Sequence, residues 1–277
     1  MTCVRAPGSS ANLGAGFDVL GAAIGRHAWV NDEGIGEPCG PDHLATVAHR
    51  MAGGAGDLWF GFDLIPGRGL GFSGAARAAA AVLAKVQQGL DLDAARHAAY
   101  PVVVELEGHG DNAAPSVFGG VQLVAGDEPR RLPVALPGHL LLWVPPHIET
   151  STDGSRQELP STVSRSDAVF NLGRVALLVA ALYEGDAAAL RAATEDRLHQ
   201  PHRLDRCAPA SKAMDAALSA GAAAAWLSGS GPSVAMIVAD DAMADVRANL
   251  PADGDLVGAE LDTDGAVLVE ASTTPTG

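Results

Sequence analysis

Three glycine-rich segments hold the residues of this 277-residue chain whose types and spacing could do chemistry. The segment Pro66-Gly67-Arg68-Gly69-Leu70-Gly71-Phe72-Ser73-Gly74-Ala75 runs straight into an alanine-rich stretch of strong helix propensity. Glycines let a backbone approach a phosphate closely, and a helix N-terminus adds unpaired N–H groups and partial positive charge. The segment therefore reads as a phosphate cradle, with the Ser73 hydroxyl available to a phosphate oxygen or to Mg²⁺. It is not a P-loop, because no Gly-Lys-Ser/Thr follows, and its spacing is not that of the dinucleotide fingerprint. Residues 71–75 also have the outline of a hydrolase nucleophile elbow. That turn follows a buried apolar strand, whereas residues 66–69 are loop formers. In the second segment, residues 6–18, Asn12 and Asp18 offer a neutral and a charged group to a substrate's amine or hydroxyl. A solvated turn with an Asx cap is the plain alternative there, as a tight loop entering a packed helix is for the first segment. The third, Leu227-Ser228-Gly229-Ser230-Gly231-Pro232-Ser233, lies between two apolar runs and by itself marks only a turn.

The elements that must position these loops follow from periodicity and propensity. Residues 19–30 read as extended, 31–40 as a polar loop, 43–51 as a short helix and 58–65 as a strand. A helix over 73–88 ends at Gly89, and 91–107 forms a second helix with Pro101 as a possible break. Strands are expected at 119–125, 139–144, 223–227, 233–238 and 267–271. Helices are expected at 167–183, capped by Ser164 or Ser166, and at 187–198 and 211–219. Helices and strands mix without a regular βα alternation, so the expected class is α+β.

Nearly half the residues are apolar and only 4% are aromatic, so the core should be built from small and aliphatic side chains. Net charge is −15, which argues against nucleic acid and anionic membranes as partners. No apolar run approaches the roughly 20 residues that cross a bilayer, and the first residues lack the order of a secretory signal, so cytoplasmic residence is expected. Cys3, Cys39 and Cys207 show neither metal-ligand spacing nor a paired framework.

Taken together, Pro-x-Ser-Ala-Asn-Leu-Gly-x-Gly-Phe-Asp, Pro-x-x-x-Gly-Leu-Gly-x-Ser and Ser-Gly-x-Gly-Pro-Ser resemble, in order and spacing, the three signature motifs of the GHMP kinases. The resemblance spans essentially the whole chain. It implies a two-lobed α+β fold, with residues 1–133 forming an N-terminal lobe around the ATP loop 66–75 and residues 134–277 forming a ferredoxin-like α/β lobe. It also implies ATP, Mg²⁺ and a small hydroxylated substrate. Residues 105–115 with Gly119-Gly120, residues 151–160 and His199-Gln200-Pro201-His202-Arg203 are similar to stretches of the homoserine kinases in particular. That resemblance implies phosphorylation of the L-homoserine hydroxyl in threonine biosynthesis, without a strong catalytic base, by a protein that is often a homodimer. A kinase for another hydroxylated metabolite and a non-catalytic ligand-binding homologue stay open beside it.

Carried over residue by residue, the resemblance assigns the amino acid's polar groups to Asn12, Asp18 and Asn112 and its carboxylate to Arg156 and Arg203. His109 becomes a positioning group, and Glu105 joins Ser73 on Mg²⁺, with Glu107 close enough to take that place instead. Asn112, Ser73 and Glu105 are the expected catalytic set. A zwitterionic substrate needs both charge signs, which Asp18 and the two arginines supply. The chain departs from the family's Gly-Leu-Gly-Ser-Ser-Ala-Ala at Phe72 and Gly74, and Arg77 enters the following helix. A phenylalanine there can offer only its backbone N–H, which puts ATP binding in question.

Overall fold

The chain opens with two long antiparallel strands, β1 (Cys3–Ala11) and β2 (Leu20–Asn31), whose register slips by a bulge between Pro7 and Gly8. A computed structural model describes residues 2–126, 128–148, 152–157 and 159–275. Strand β1 lies in the segment read from sequence as a loop, because Pro7, Gly8, Ser9 and Ser10 are turn formers. Burial between two neighbours overrides that preference, and the bulge absorbs the irregularity. Next come the short β3 (Glu37–Pro38), helix α1 (Leu44–Met51) and β4 (Trp59–Phe62). Three helices follow, α2 (Phe72–Gln87), α3 (Leu92–Glu107) and α4 (Gly110–Phe118), and then the hairpin β5 (Val121–Val124) and β6 (Pro129–Leu132).

Helix α2 is buried along most of its length, its alanines at 75, 76, 78–81 and 84 all fully covered. A helix that is apolar nearly all round belongs inside a core, and small side chains let β1, β2 and helices α1, α3 and α4 approach it from every side. Helix α3 runs unbroken through Pro101, contrary to the expected interruption. Pro101 lies on the exposed face, where water can take up the carbonyl the missing N–H leaves unpaired.

Beyond β7 (His139–Val144) lie α5 (Thr152–Gln157), α6 (Arg165–Glu184), α7 (Ala187–Ala193), α8 (Gln200–Leu204) and α9 (Ala208–Ser219). The chain closes with β8 (Ala224–Leu227), β9 (Val234–Val238), α10 (Met243–Asn249), β10 (Asp255–Gly258) and β11 (Val267–Val269). Helix α7 stops before the expected residue 198 because Asp196 accepts from the amides of Leu198, His199 and Gln200 and starts α8 instead. Helices α4, α5, α8 and α10 and strands β6 and β10 fall where no element is expected from sequence.

Strands β7 to β10 form one antiparallel sheet in the order β10-β7-β9-β8. With its crossing helices this is the split βαβ arrangement of a ferredoxin-like lobe. Leu140, Leu142 and Val144 face the main core while Leu141 and Trp143 face a second one under α9. Burial on both faces explains why β7 is apolar without alternation. The other sheet runs β11-β1-β2-β4-β3, with β5 also on β2 and β6 outside it. Strand β11, from the end of the chain, pairs with β1, so residues 267–269 belong to the N-terminal sheet rather than to the lobe expected over 134–277.

Helix α6 amends the reading that no apolar run nears 20 residues. It is 20 residues long and contains an 18-residue window of mean hydropathy 1.3, enough by length and composition to cross a membrane. Its Asn171, Leu178, Ala181 and Leu182 are buried against the protein.

Candidate active site

The three glycine-rich segments converge on one open cleft of about 180 Å³ between the two sheets. Strand β1 delivers the first: Ser9 is buried, and Asn12, Leu13 and Asp18 all adopt positive φ just beyond the strand. Three non-glycine residues in that region within one loop mark strain held by its surroundings. Asn12 is locked at both ends of its amide. Its Nδ2 donates to the Gly229 carbonyl at 3.0 Å, and its Oδ1 accepts from the Asp18 amide at 3.1 Å. The third segment thus holds the first in place.

The phosphate loop is pressed against both. A Cβ on Gly69 would lie 2.3 Å from the Ser228 carbonyl, and one on Gly71 would lie 2.1 Å from Ser9 Oγ. Gly71 also has φ 68° and caps α2 without any side-chain acceptor, leaving the helix's first amides to the cleft. Phe72 does not plug this opening. Its ring packs edge-on against Phe60 and Phe62, at 5.9 and 5.2 Å between centroids, so its contribution to the loop is the backbone N–H. Arg68 is buried and donates to the Pro146 carbonyl at 2.6 Å, tying the loop to the end of β7.

Helix α3 ends at the cleft, and its geometry separates the two glutamates. Residues 105 and 107 project about 200° apart on a helix. Glu107 lines the cleft, where its Oε2 accepts from Ser73 Oγ at 3.0 Å. Glu105 is exposed and faces a different depression beside Tyr100 and Pro101. The expectation that Glu105 accompanies Ser73 is therefore corrected: the carboxylate at Ser73 is Glu107. Its other oxygen, Oε1, pairs with Arg77, one helical turn beyond Ser73 on α2.

On the opposite wall, Arg156 and Arg203 both approach the ring of Phe17, at 5.4 and 5.5 Å from its centroid. Arg156 donates to Asp18 at 2.5 Å and to His109 Nδ1 at 3.3 Å. Ser151, at the start of the stretch that led to Arg156, lies outside the described residues. Arg203 is 7% exposed and donates to the Gly229 carbonyl and to His199 Nδ1, both at 3.1 Å. Accepting at Nδ1 makes the buried His199 a donor at Nε2, toward the Gly14 carbonyl at 2.9 Å. Burial holds its pKa below the usual value, so a neutral ring faces Phe17. Asn112 Oδ1 accepts from Ser9 Oγ at 3.0 Å, and its Nδ2 points toward Asp111 Oδ1 at 3.4 Å. Asp111 is 2% exposed, and burial followed by the Asp18 charge raises its pKa to about 7.

Every expected site residue except Glu105 thus lies in or beside this cleft. Ser9, Phe17, His199 and Gly229 are participants with no role expected from sequence, and Arg77 is expected only as a departure within the helix after the loop. Gly229 and His199 sat inside quoted motifs, whereas nothing local marked Arg77 as reaching Glu107.

A glycine-loop helix N-terminus set between an N-terminal sheet and a ferredoxin-like lobe defines the class of the GHMP kinases. The family model for the C-terminal part of those kinases matches residues 178–256. The chain is 38% identical to a homoserine kinase of Thermus thermophilus, covering 83% of this chain and 85% of that one. It is 34% identical to another from Desulfitobacterium hafniense, over 86% and 87%. The chain belongs to the homoserine kinase family. Its fold is shared with the crystal structure of a homoserine kinase from Cytophaga hutchinsonii, at a TM-score of 0.80, 24% identity and 97% coverage of both chains. The fold likeness extends to an L. major mevalonate kinase in complex with R-mevalonate, at a TM-score of 0.64, 19% identity and 94% and 95% coverage.

Proposed function

We propose that the chain transfers the γ-phosphoryl group of ATP to the side-chain hydroxyl of L-homoserine, giving O-phospho-L-homoserine and ADP. The observation that carries this is the gathering of Asp18, Arg156 and Arg203 around Phe17, in the same cleft as the uncapped N-terminus of α2. Asp18 and Arg156 hold each other's charge, and an amino acid would take up both, its ammonium on Asp18 and its carboxylate on the two guanidinium groups. The substrate hydroxyl then falls toward Asn112, which Ser9 fixes in orientation. Residues 66–75 cradle the phosphates through backbone amides, and the turned-away ring of Phe72 leaves them access.

In the transfer, the hydroxyl oxygen bonds to the γ-phosphorus. The bond from that phosphorus to the β–γ bridging oxygen breaks, its electron pair leaves with ADP, and the hydroxyl proton passes to solvent. A loose transition state makes little demand for a base, so positioning by Asn112 and charge neutralisation carry the rate. Ser73 and Glu107 suit a hard cation, being a hydroxyl and a carboxylate in contact at the phosphate loop. Among the described residues there is no group of three or more His, Cys, Asp or Glu that could hold a metal. Mg²⁺ bound there supplies charge neutralisation on the phosphate oxygens. Residence in the cytoplasm is part of the same proposal. A homodimer belongs to the same reading, with exposed Val169, Leu172 and Tyr183 along α6 as apolar surface to support it; light scattering on the purified protein tests it.

The reading is tested by coupled ADP release with ATP, Mg²⁺ and L-homoserine, beside L-serine and mevalonate as acceptors. Turnover should require homoserine. Asn112→Leu and Ser73→Ala should each lower kcat by about 10²-fold. Arg203→Ala should raise the KM for homoserine about tenfold or more while leaving that for ATP within about twofold. Absence of homoserine-dependent turnover would sink the proposal.

A further inference from the structure

The pair formed by Arg77 and Glu107 is not required by any role assigned so far. Glu107 closes α3 and reaches α2 at two points one turn apart, taking Ser73 Oγ on Oε2 and the Arg77 guanidinium on Oε1. The Glu107 side chain is 9% exposed and that of Arg77 19%. A carboxylate so far removed from water must be neutralised, and a guanidinium is a permanent charge that does so without help from solvent. Arg77 itself stands outside the cleft lining, so it touches the carboxylate from behind.

We infer that Arg77 is a built-in counter-ion for the carboxylate that receives the divalent cation. It positions Glu107 by occupying Oε1, leaves Oε2 with Ser73 on the side facing the phosphate loop, and keeps the site's affinity for the ion low. This rests on the kinase reading above. The sign follows from charge. A fixed cation behind a ligand lowers the negative potential that an incoming dication feels. Removing that cation strengthens binding, even though Glu107 gains rotamer freedom. Arg77 is a positioning residue, because it acts through Glu107 alone.

The test measures Mn²⁺ binding by electron paramagnetic resonance on the full chain saturated with the non-hydrolysable nucleotide AMP-PNP. Arg77→Gln should tighten Mn²⁺ binding about tenfold, and Arg77→Lys, which restores the charge, should stay within about threefold of wild type. In a Glu107→Gln background the Arg77→Gln change should have no effect. If Arg77→Gln lowers the melting temperature but leaves Mn²⁺ affinity unchanged or weakened, Arg77 is only a clasp between α2 and α3 and the inference falls while the kinase reading stands. If Glu107→Gln binds Mn²⁺ as wild type does, the metal assignment and this inference fall together. Homoserine-dependent ADP release then shows whether the phosphoryl transfer itself survives.

Discussion

Asp111 is a cleft side chain whose acidity its surroundings change strongly. Burial first, and the Asp18 charge second, raise its pKa to about 7, against an ordinary 3.8. Below pH ~4 the carboxyl is protonated folded or unfolded, and it costs nothing. Between ~4 and ~7 the folded chain retains a proton that the unfolded chain has lost, so stability falls as pH rises, and above ~7 the full penalty persists. Asp111→Asn should therefore stabilise the protein by about 2 kcal/mol at pH 8 and by little at pH 4. Urea titrations at the two pH values check this, and a gain independent of pH would remove burial of a charge as its cause. The two glutamates make a second test at the same scale. Glu107→Gln should lower kcat about 10²-fold, and Glu105→Gln should stay within about twofold of wild type, in steady-state kinetics. A two-residue offset in a helix is easily misassigned from sequence, since both carboxylates belong to one motif and only the helix's rotation separates them. Asp18, Arg156 and Arg203 were expected from the motif resemblance, and a zwitterion's need for both signs agrees with it; no local feature marked Arg77, since its partner lies 30 positions away on another helix.

At the scale of elements, the phosphate loop owes its shape to β1. The amide of Ser9 donates to the Leu70 carbonyl at 3.0 Å, and Gly71 sits against Ser9 so closely that a Cβ would meet Ser9 Oγ at 2.1 Å and its backbone N at 2.5 Å. Gly71→Ala must therefore move backbone and also strain a residue at positive φ. It should cost about 2 kcal/mol and raise the KM for ATP strongly. Adding Ser9→Gly should not restore either quantity, because the main-chain clash remains; a full rescue in denaturation and kinetics would show that the hydroxyl alone is the obstacle. The same contact explains what sequence could not supply. The buried helix α2 was legible from alanine content and the closing Gly89. Strand β1 was not, because its turn formers Pro7, Gly8, Ser9 and Ser10 become strand only through pairing with β2, whose sequence lies a dozen residues on. Helix α4 was hidden likewise, since Gly110 and Pro115 weaken its propensity and packing against β1, β2 and β5 holds it.

For the whole molecule, the question is whether the two sheets stand or fall as one. A chain of 277 residues with two sheets is long enough for its halves to unfold separately. Two features oppose that here. The main hydrophobic core is continuous across them, joining Ile24, Leu83 and Val117 of the first half to Leu142, Trp226 and Ile237 of the second. The chain end then returns, so that β11 pairs with β1, and Arg96 donates to the carbonyls of Asp264 and Ala266. Asp262 anchors this return. Burial works against its ionisation, but the His27 ring and the amides of Gly265 and Asp264 outweigh burial and hold its pKa below the ordinary value. A depressed carboxyl stabilises the fold above the unfolded pKa and loses that effect as the pH falls through the folded one. The expected calorimetric trace at pH 7 is a single transition with a calorimetric to van't Hoff enthalpy ratio of about 1. Asp262→Ala should lower its midpoint by a few degrees without splitting it, because the shared core still couples the halves. Two resolved transitions in the wild type would mean that the cleft, with a wall on each half, opens when the weaker half melts. In that case bound homoserine or nucleotide should draw the two transitions together, whereas a single cooperative unit should shift as one.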